Sequence, residues 1–445
     1  MTADIILRSD CVFTATGEAP FSGYVAIGGG RILDVGHGEP PVWLNGAETE
    51  TVELGDRTVS PGFVDVHCFF TGWAAEKIGV DPEDVSNHPA LLGNREKIEP
   101  LFREYMAMLN ARGVTAVKEM GFDDFSGFAE LLDEWERADE LSLRVSFMSQ
   151  PAGRPMDLAF GRAMQERFRG AFVRFSGFNR MTDGSISQLE GDLKQPYSCA
   201  SDMTCALAID WDAIAAEVRA ADEAGFRFSL HAQGDAAIAR VLDIYETCCR
   251  DESGRLVNRH AITDLEFSDP ADLERMGQLG AIAEIYPQIQ SIARREEKLR
   301  MIREKIGMER GRYYWNRRKM ADSGVPLSCG TDLPLLIDDI PESVYCAVGG
   351  YFPEDNEPFN RQNMLTAEEL MTAWTRGGAY ALMRENELGT LENGKRADIA
   401  VLSGNIFTTP AEDARGLSAV LTLVDGRMVY RKEELASAAR NAFAP

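Results

Sequence analysis

The sequence predicts an α/β chain: a (β/α)8 barrel of the TIM type with a small β-sandwich built from both chain ends. Two textures predict it. From residue 61 onward, eight short apolar runs alternate with stretches of helical periodicity, and a right-handed βα series of that number closes into a barrel. Before residue 61, and again after about 386, short alternating runs between Gly and Asp turns replace that rhythm, as in an antiparallel sheet.

In chain order, Ile5 to Leu7, Val12-Phe13, Tyr24 to Ile27 and Arg31 to Val35 read as the first strands. Gly28-Gly29-Gly30 is a hairpin signal and not a phosphate loop, because no helix follows it. The barrel strands are expected at 62–68, 114–118, 143–149, 171–179, 227–232, 261–266, 280–286 and 325–331. Between them, Ile98, Leu101, Phe102, Tyr105 and Leu109 share one helical face. So do Phe128, Leu131, Leu132 and Trp135, and so do Ile238, Val241, Leu242 and Tyr245. Two connections, 180–210 and 333–365, are long for a barrel and are expected to be lids or substrate walls, with a dimer contact as the alternative. Asp398 to Leu402, Ala419 to Val424 and Met428 to Tyr430 then complement the N-terminal strands. The expected organisation is a sandwich half at 1–60, the barrel at 61–385 and the other sandwich half at 386–445.

At 445 residues the chain can support a large domain plus a smaller one. Its 44% apolar and 26% charged residues are ordinary for a soluble globular protein. A formal net charge of −25 argues against nucleic acid or an anionic membrane as partner. No apolar run approaches the roughly 20 residues that span a bilayer. The start Met1-Thr2-Ala3-Asp4 lacks the basic and apolar segments of a signal peptide, so a cytoplasmic protein is expected. Eight cysteines without a C-x-x-C suggest reduced thiols.

The chemistry starts at Pro61 to Phe69, a buried strand that delivers His67 to its C-terminal end. That is the end where a barrel builds its site. On this stretch alone, a metal ligand and a histidine bonded to backbone are both open readings.

Four motifs then resemble a known family. They are Val59-Ser60-Pro61-Gly62-Phe63-Val64-Asp65-Val66-His67, Leu230-His231-Ala232-Gln233-Gly234-Asp235, Cys329-Gly330-Thr331-Asp332-Leu333-Pro334, and Gly389 to Asp398 with the pattern G-x-L-x-x-G-x-x-A-D. In this order and at barrel spacing they resemble the amidohydrolase superfamily, in particular its YtcJ-like branch. The resemblance implies one or two divalent metals, held by a first-strand H-x-H, a carboxylated fourth-strand lysine, histidines on strands five and six, and an aspartate on strand eight. It carries His67, His231 and Asp332 onto metal-binding roles. It also implies hydrolysis of a non-peptide carbon–nitrogen bond, in an amide or cyclic amide, on a small-molecule substrate, by a homodimer.

Three positions depart from the pattern. Phe69 stands at the second histidine of H-x-H. Asn179 lines up with the bridging lysine, with Arg174 as the alternative. The strand-six pattern reads Arg259-His260-Ala261-Ile262-Thr263-Asp264, so its histidine is Asp264, and His260 falls off the ligand position. Without an anionic bridge, two dications about 3.5–4 Å apart repel unscreened. The expected cofactor is therefore one divalent ion, zinc first, with manganese and iron compatible. Asp332 is the expected general base. The competing reading is a metal-free pocket in which Asp332 and Asp264 act as an acid/base pair, as in an isomerase or lyase. A non-catalytic descendant is the third. Asn179, Lys118 and Phe69 are expected to face the substrate. The Arg- and Lys-rich stretch 294–319 reads as a solvated helix face, with an anionic substrate group or a subunit contact as alternatives.

Overall fold

The computed structural model describes residues 2–81, 94–121, 128–151, 154–335 and 339–433. Residues 336–338 of the second long connection, and the end of the chain from 434, lie outside them.

The eight expected barrel strands are all present. They are β6 (Phe63–Cys68), β7 (Val114–Glu119), β8 (Arg144–Ser149), β9 (Val173–Met181), β10 (Phe228–Ala232), β11 (Ala261–Asp264), β12 (Ile282–Ile285) and β13 (Leu327–Cys329). Each pairs in parallel with the next in chain order. The residues marked as helical stripes are buried against this sheet because a helix with a 3.6-residue period turns one face inward. Ile98, Phe102, Tyr105 and Leu109 do so from helix Arg95–Asn110, and Phe128, Leu131, Leu132 and Trp135 from helix Phe128–Arg137.

The ring closes between β13 and β6, where the site lies. The Asp332 amide donates to the His67 carbonyl at 2.8 Å, and the Phe69 amide donates to the Leu333 carbonyl at 2.8 Å. Asp65 clamps the same seam: Oδ1 accepts from the Thr331 amide at 3.0 Å, and Oδ2 accepts from the Thr331 hydroxyl at 2.6 Å. This close approach requires Gly330, since a Cβ there would stand 2.6 Å from the His67 Cβ.

Both chain ends contribute to a second, mixed sheet. Its order is β16 (Arg427–Arg431), β15 (Ala419–Val424), β14 (Ile399–Leu402), β5 (Thr58–Pro61), β1 (Ile5–Val12), β2 (Phe21–Gly28) and β3 (Arg31–His37). β4 (Glu50–Glu53) pairs with the first half of β1 and β5 with its last residues, so the sheet branches there. One apolar cluster joins both ends, with Leu7, Val25, Ile27 and Val59 against Ile399, Val401, Leu421 and Leu423. The barrel is tied to it by Arg144, buried, whose Nε and Nη2 donate to the Asp398 carboxylate at 2.6 and 2.8 Å.

Over the barrel mouth lies a further apolar layer. Ile186, Leu193 and Tyr197 of the 180–210 connection meet Tyr286, Ile289, Ile302, Tyr314 and Trp315, which follow β12. All eight cysteines are free thiols. Among the described residues, no helix is long and apolar enough to cross a membrane.

Candidate active site

A cavity of about 450 Å³ opens at the C-terminal strand ends. Asp264, Asp332, Gln233 and Tyr286 reach it from the strand ends, and Ser185 and Ser187 reach it from the first long connection. That connection thus forms part of the cavity wall.

Both aspartates leave their strands in left-handed backbone, with φ of +79° at Asp264 and +56° at Asp332. Leu265 follows Asp264 at +58°. Such conformations cost on the order of 1–3 kcal/mol each and persist where the surroundings enforce them, often at functional sites.

Two charge clusters meet here. In the first, His67 is buried, its Nε2 lies 3.6 Å from Asp332 Oδ1, and its Nδ1 faces Glu284 Oε2 at 4.0 Å. Behind it, the fully buried Lys118 and Glu284 form an ion pair. Burial pulls the Lys118 ammonium down to about 8, against the raising pull of Glu284. Burial pushes the Asp332 carboxyl up, and Asp264 adds to that, while the two histidines oppose it.

In the second cluster, His231 Nε2 meets Asp264 Oδ2 at 3.0 Å and Nδ1 faces Asp183 Oδ1 at 3.6 Å. Burial alone would lower this imidazole. Asp264, Asp183 and Asp332 outweigh it and push it up to about 9. The three carboxylates thus favour the protonated ring over the neutral one. Gln233 Nε2 donates to the same Asp264 oxygen at 2.8 Å, and Asp183 is held by the amides of Gln233, Gly234 and Asp192, each at 2.9 Å.

The donor set can be tested against one divalent ion. Two donors bonded to a tetrahedral zinc at roughly 2.0–2.2 Å lie about 3.3–3.5 Å apart. His67 Nε2 and Asp332 Oδ1, at 3.6 Å, match that edge. A carboxylate at the far ring nitrogen, as Glu284 is at Nδ1, is the usual companion of a ligating histidine. His231 does not complete the set as placed: its Nε2 is engaged with Asp264. Among the described residues, the one group of three candidate donors within 4.8 Å of one another is Asp222, Cys248 and His260. The site thus offers two of the three donors, and the third only when His231 Nε2 leaves Asp264.

The Asp222 group is a structural pin. His260 Nδ1 accepts from the Phe228 amide at 3.0 Å, so the neutral ring carries its proton on Nε2 and donates to Asp222 at 2.9 Å. Burial lowers the His260 pKa below its ordinary value. Burial would raise Asp222, but His260, the Cys249 amide and Asn258 outweigh it and hold it well below the carboxylate range. Both shifts have the same sign for stability. As pH falls below about 6.5, the unfolded chain takes up a proton that folded His260 refuses; below about 4, the unfolded chain protonates Asp222 first. His260→Gln removes the upper contribution, so its urea midpoint relative to wild type is expected to rise as pH falls from about 7 to 5. A difference between the two proteins that stays constant over that range contradicts this.

The three residues expected to face the substrate lie outside the cavity lining, as do His67 and His231. Lys118 is fully buried on Glu284. Asn179 is also buried, donates to Gln150 Oε1 at 2.7 Å, and is absent from the cavity lining. Phe69 is half-buried with its ring edge-on to His67 at 5.4 Å, beside the imidazole and outside the lining. Glu284, Asp183 and Asp65 were missed. The signal for Glu284 was a lone carboxylate inside the apolar run 280–286.

The amidohydrolase family model matches residues 72–430. The chain belongs to the amidohydrolase family. Asn179, His231, Asp264 and Asp332 fall inside the matched span, and His67 precedes it. Among curated relatives, the putative amidohydrolase YtcJ of Bacillus subtilis is 23% identical over 269 residues, which cover 60% of this chain and 49% of YtcJ. The N-substituted formamide deformylase of Arthrobacter pascens is 27% identical over 223 residues, 48% of this chain and 38% of that protein. This chain spans about half or less of the length of these two relatives. An uncharacterised metal-dependent hydrolase of Pyrococcus furiosus has the same fold, with a TM-score of 0.69 at 18% identity, over 92% of this chain and 99% of that one.

Proposed function

We propose that this amidohydrolase hydrolyses a non-peptide carbon–nitrogen bond, in an amide or cyclic amide, inside the cavity at the barrel mouth. The observation that carries the reading is Asp332. It lines the cavity, its carboxylate stands 3.6 Å from His67, and burial pushes its pKa up. Such a carboxylate takes a proton from the attacking water and returns it to the leaving nitrogen. Asp264 is tied to His231 and Gln233, so its part is to hold that ring. A cavity of about 450 Å³ suits a small-molecule substrate.

The divalent ion, zinc first, would be held by His67 Nε2 and Asp332 Oδ1, with His231 joining when its Nε2 leaves Asp264. When bound, such an ion polarises the carbonyl and supplies an acidified water. A metal-independent acid/base enzyme is favoured by one observation, that both His231 nitrogens turn to carboxylates. The homodimer and the cytoplasmic location belong to the same proposal.

The test pairs elemental analysis of chelator-free protein with amine release from formamides, N-acyl amines and lactams. Metal near one per chain with chelator-sensitive amine release is expected. Turnover indifferent to chelator, with metal far below one per chain, transfers the reading to the metal-independent enzyme. No amine release from any class rejects hydrolysis.

A further inference from the structure

We infer that the substrate is a molecule with an apolar body and a cationic group, an amine or guanidine, and that Glu297 selects its charge. The inference rests on the proposed function for the place of the substrate, and on the cavity lining for its charge.

Four carboxyl side chains line the cavity, Asp264, Glu266, Glu297 and Asp332; His231 faces the first, Lys298 the second and His67 the last, which leaves Glu297 without a counter-charge among the described residues. Among the described lining residues, the one cationic side chain is Lys298. It is already engaged. Its Nζ lies 3.3 and 3.4 Å from the two oxygens of buried Glu266, and it stands over the rings of Tyr314 at 4.8 Å and Trp315 at 5.0 Å. Only 12% of its side chain is exposed. A substrate anion would have to draw this ammonium away from a carboxylate and two aromatic faces, each of which favours the cation.

Three further cations of the basic stretch 294–319 are engaged elsewhere. Arg295 pairs with Asp355 and Glu357, Arg318 with Glu369, and Lys319 with Glu274, all away from the cavity. Glu297 is the opposite case. It is exposed at the cavity wall, one residue from Lys298, and makes no ion pair with another described residue. It is free to meet an incoming cation. The apolar lining, Ile289, Ile292, Met301 and Leu335, fits a hydrocarbon or aromatic body. The net charge of −25 draws cations toward the mouth and repels anions.

The test is binding, read by ligand-observed NMR with three matched probes: phenethylamine, phenethyl alcohol and hydrocinnamate. Phenethylamine is expected to bind at least about tenfold tighter than hydrocinnamate at low salt, with the alcohol between them, and the gap to narrow as salt screens it. Glu297→Lys, an exposed change outside the reacting carboxylates, is expected to cut that preference at least about threefold. Equal or tighter binding of hydrocinnamate, a preference unchanged in Glu297→Lys, or binding of none of the probes overturns the inference. Because turnover is not read, the two proposals fail separately. An amine preference in a protein that cleaves no carbon–nitrogen bond retires the hydrolase and leaves the selectivity. Hydrolysis of amides without charge preference retires the selectivity alone.

Discussion

Asp332→Asn is expected to lower kcat/KM about a thousandfold on whichever amide the protein cleaves, within the range a positioned acid/base group supplies. The exchange keeps shape and removes the ionisable group. Asparagine also accepts the left-handed backbone that Asp332 adopts, at φ +56°, and the backbone bond from its amide to the His67 carbonyl does not involve the side chain. The fold should therefore survive, with an unchanged circular dichroism spectrum and a melting temperature near wild type. Asp264→Asn acts through His231, from which it removes the negative charge at 3.0 Å. It is expected to cost less turnover and more stability. If Asp332→Asn keeps activity within about tenfold of wild type while Asp264→Asn does not, the proton carrier has been assigned to the wrong carboxylate.

The second large effect concerns the barrel interior. Lys118 and Glu284 are fully buried on each other. Glu284→Leu leaves an ammonium without its counter-charge in an apolar interior and is expected to destabilise by about 3–5 kcal/mol, as is Lys118→Met in the mirror sense. The double variant removes the orphaned Lys118 charge but still takes from buried Arg227 the counter-charge that Glu284 supplies, and is expected to recover part of that loss in urea unfolding. Activity should not recover with it. Glu284 also faces His67 Nδ1 at 4.0 Å, and its loss removes the carboxylate charge beside that nitrogen. Outer partners of this kind are worth about 10–100-fold in activity, here expected in kcat with KM near wild type. A double variant as unstable as the worse single change, or one that regains wild-type kcat, contradicts this account.

The barrel was legible strand by strand because each strand is a local signal, an apolar run bounded by turns. The run 280–286 was legible as a strand and illegible as part of the site. A glutamate on a strand that follows the pleat must point either to the helix layer or to the barrel axis. Only Lys118 across the ring explains why it points to the axis. The departures at Phe69, Asn179 and Asp264 were legible as losses, since a residue type either can or cannot ligate. What each residue does instead was not legible. Asn179 turns to Gln150 and Phe69 packs beside His67.

Read alone, the residues settled what is encoded within a few neighbours: the eight strands, their helical faces, a shared sheet from both ends, and the chemistry available at His67, His231 and Asp332. The folded chain alone decided which of these meet. His67 finds Asp332 because the last strand closes on the first through Asp65, Thr331 and a bare Gly330. His231 finds Asp264 and Asp183 because a neighbouring strand end and a long loop converge there. Side-chain charges act over a few ångströms, and ring closure, not local propensity, sets which charges come that close.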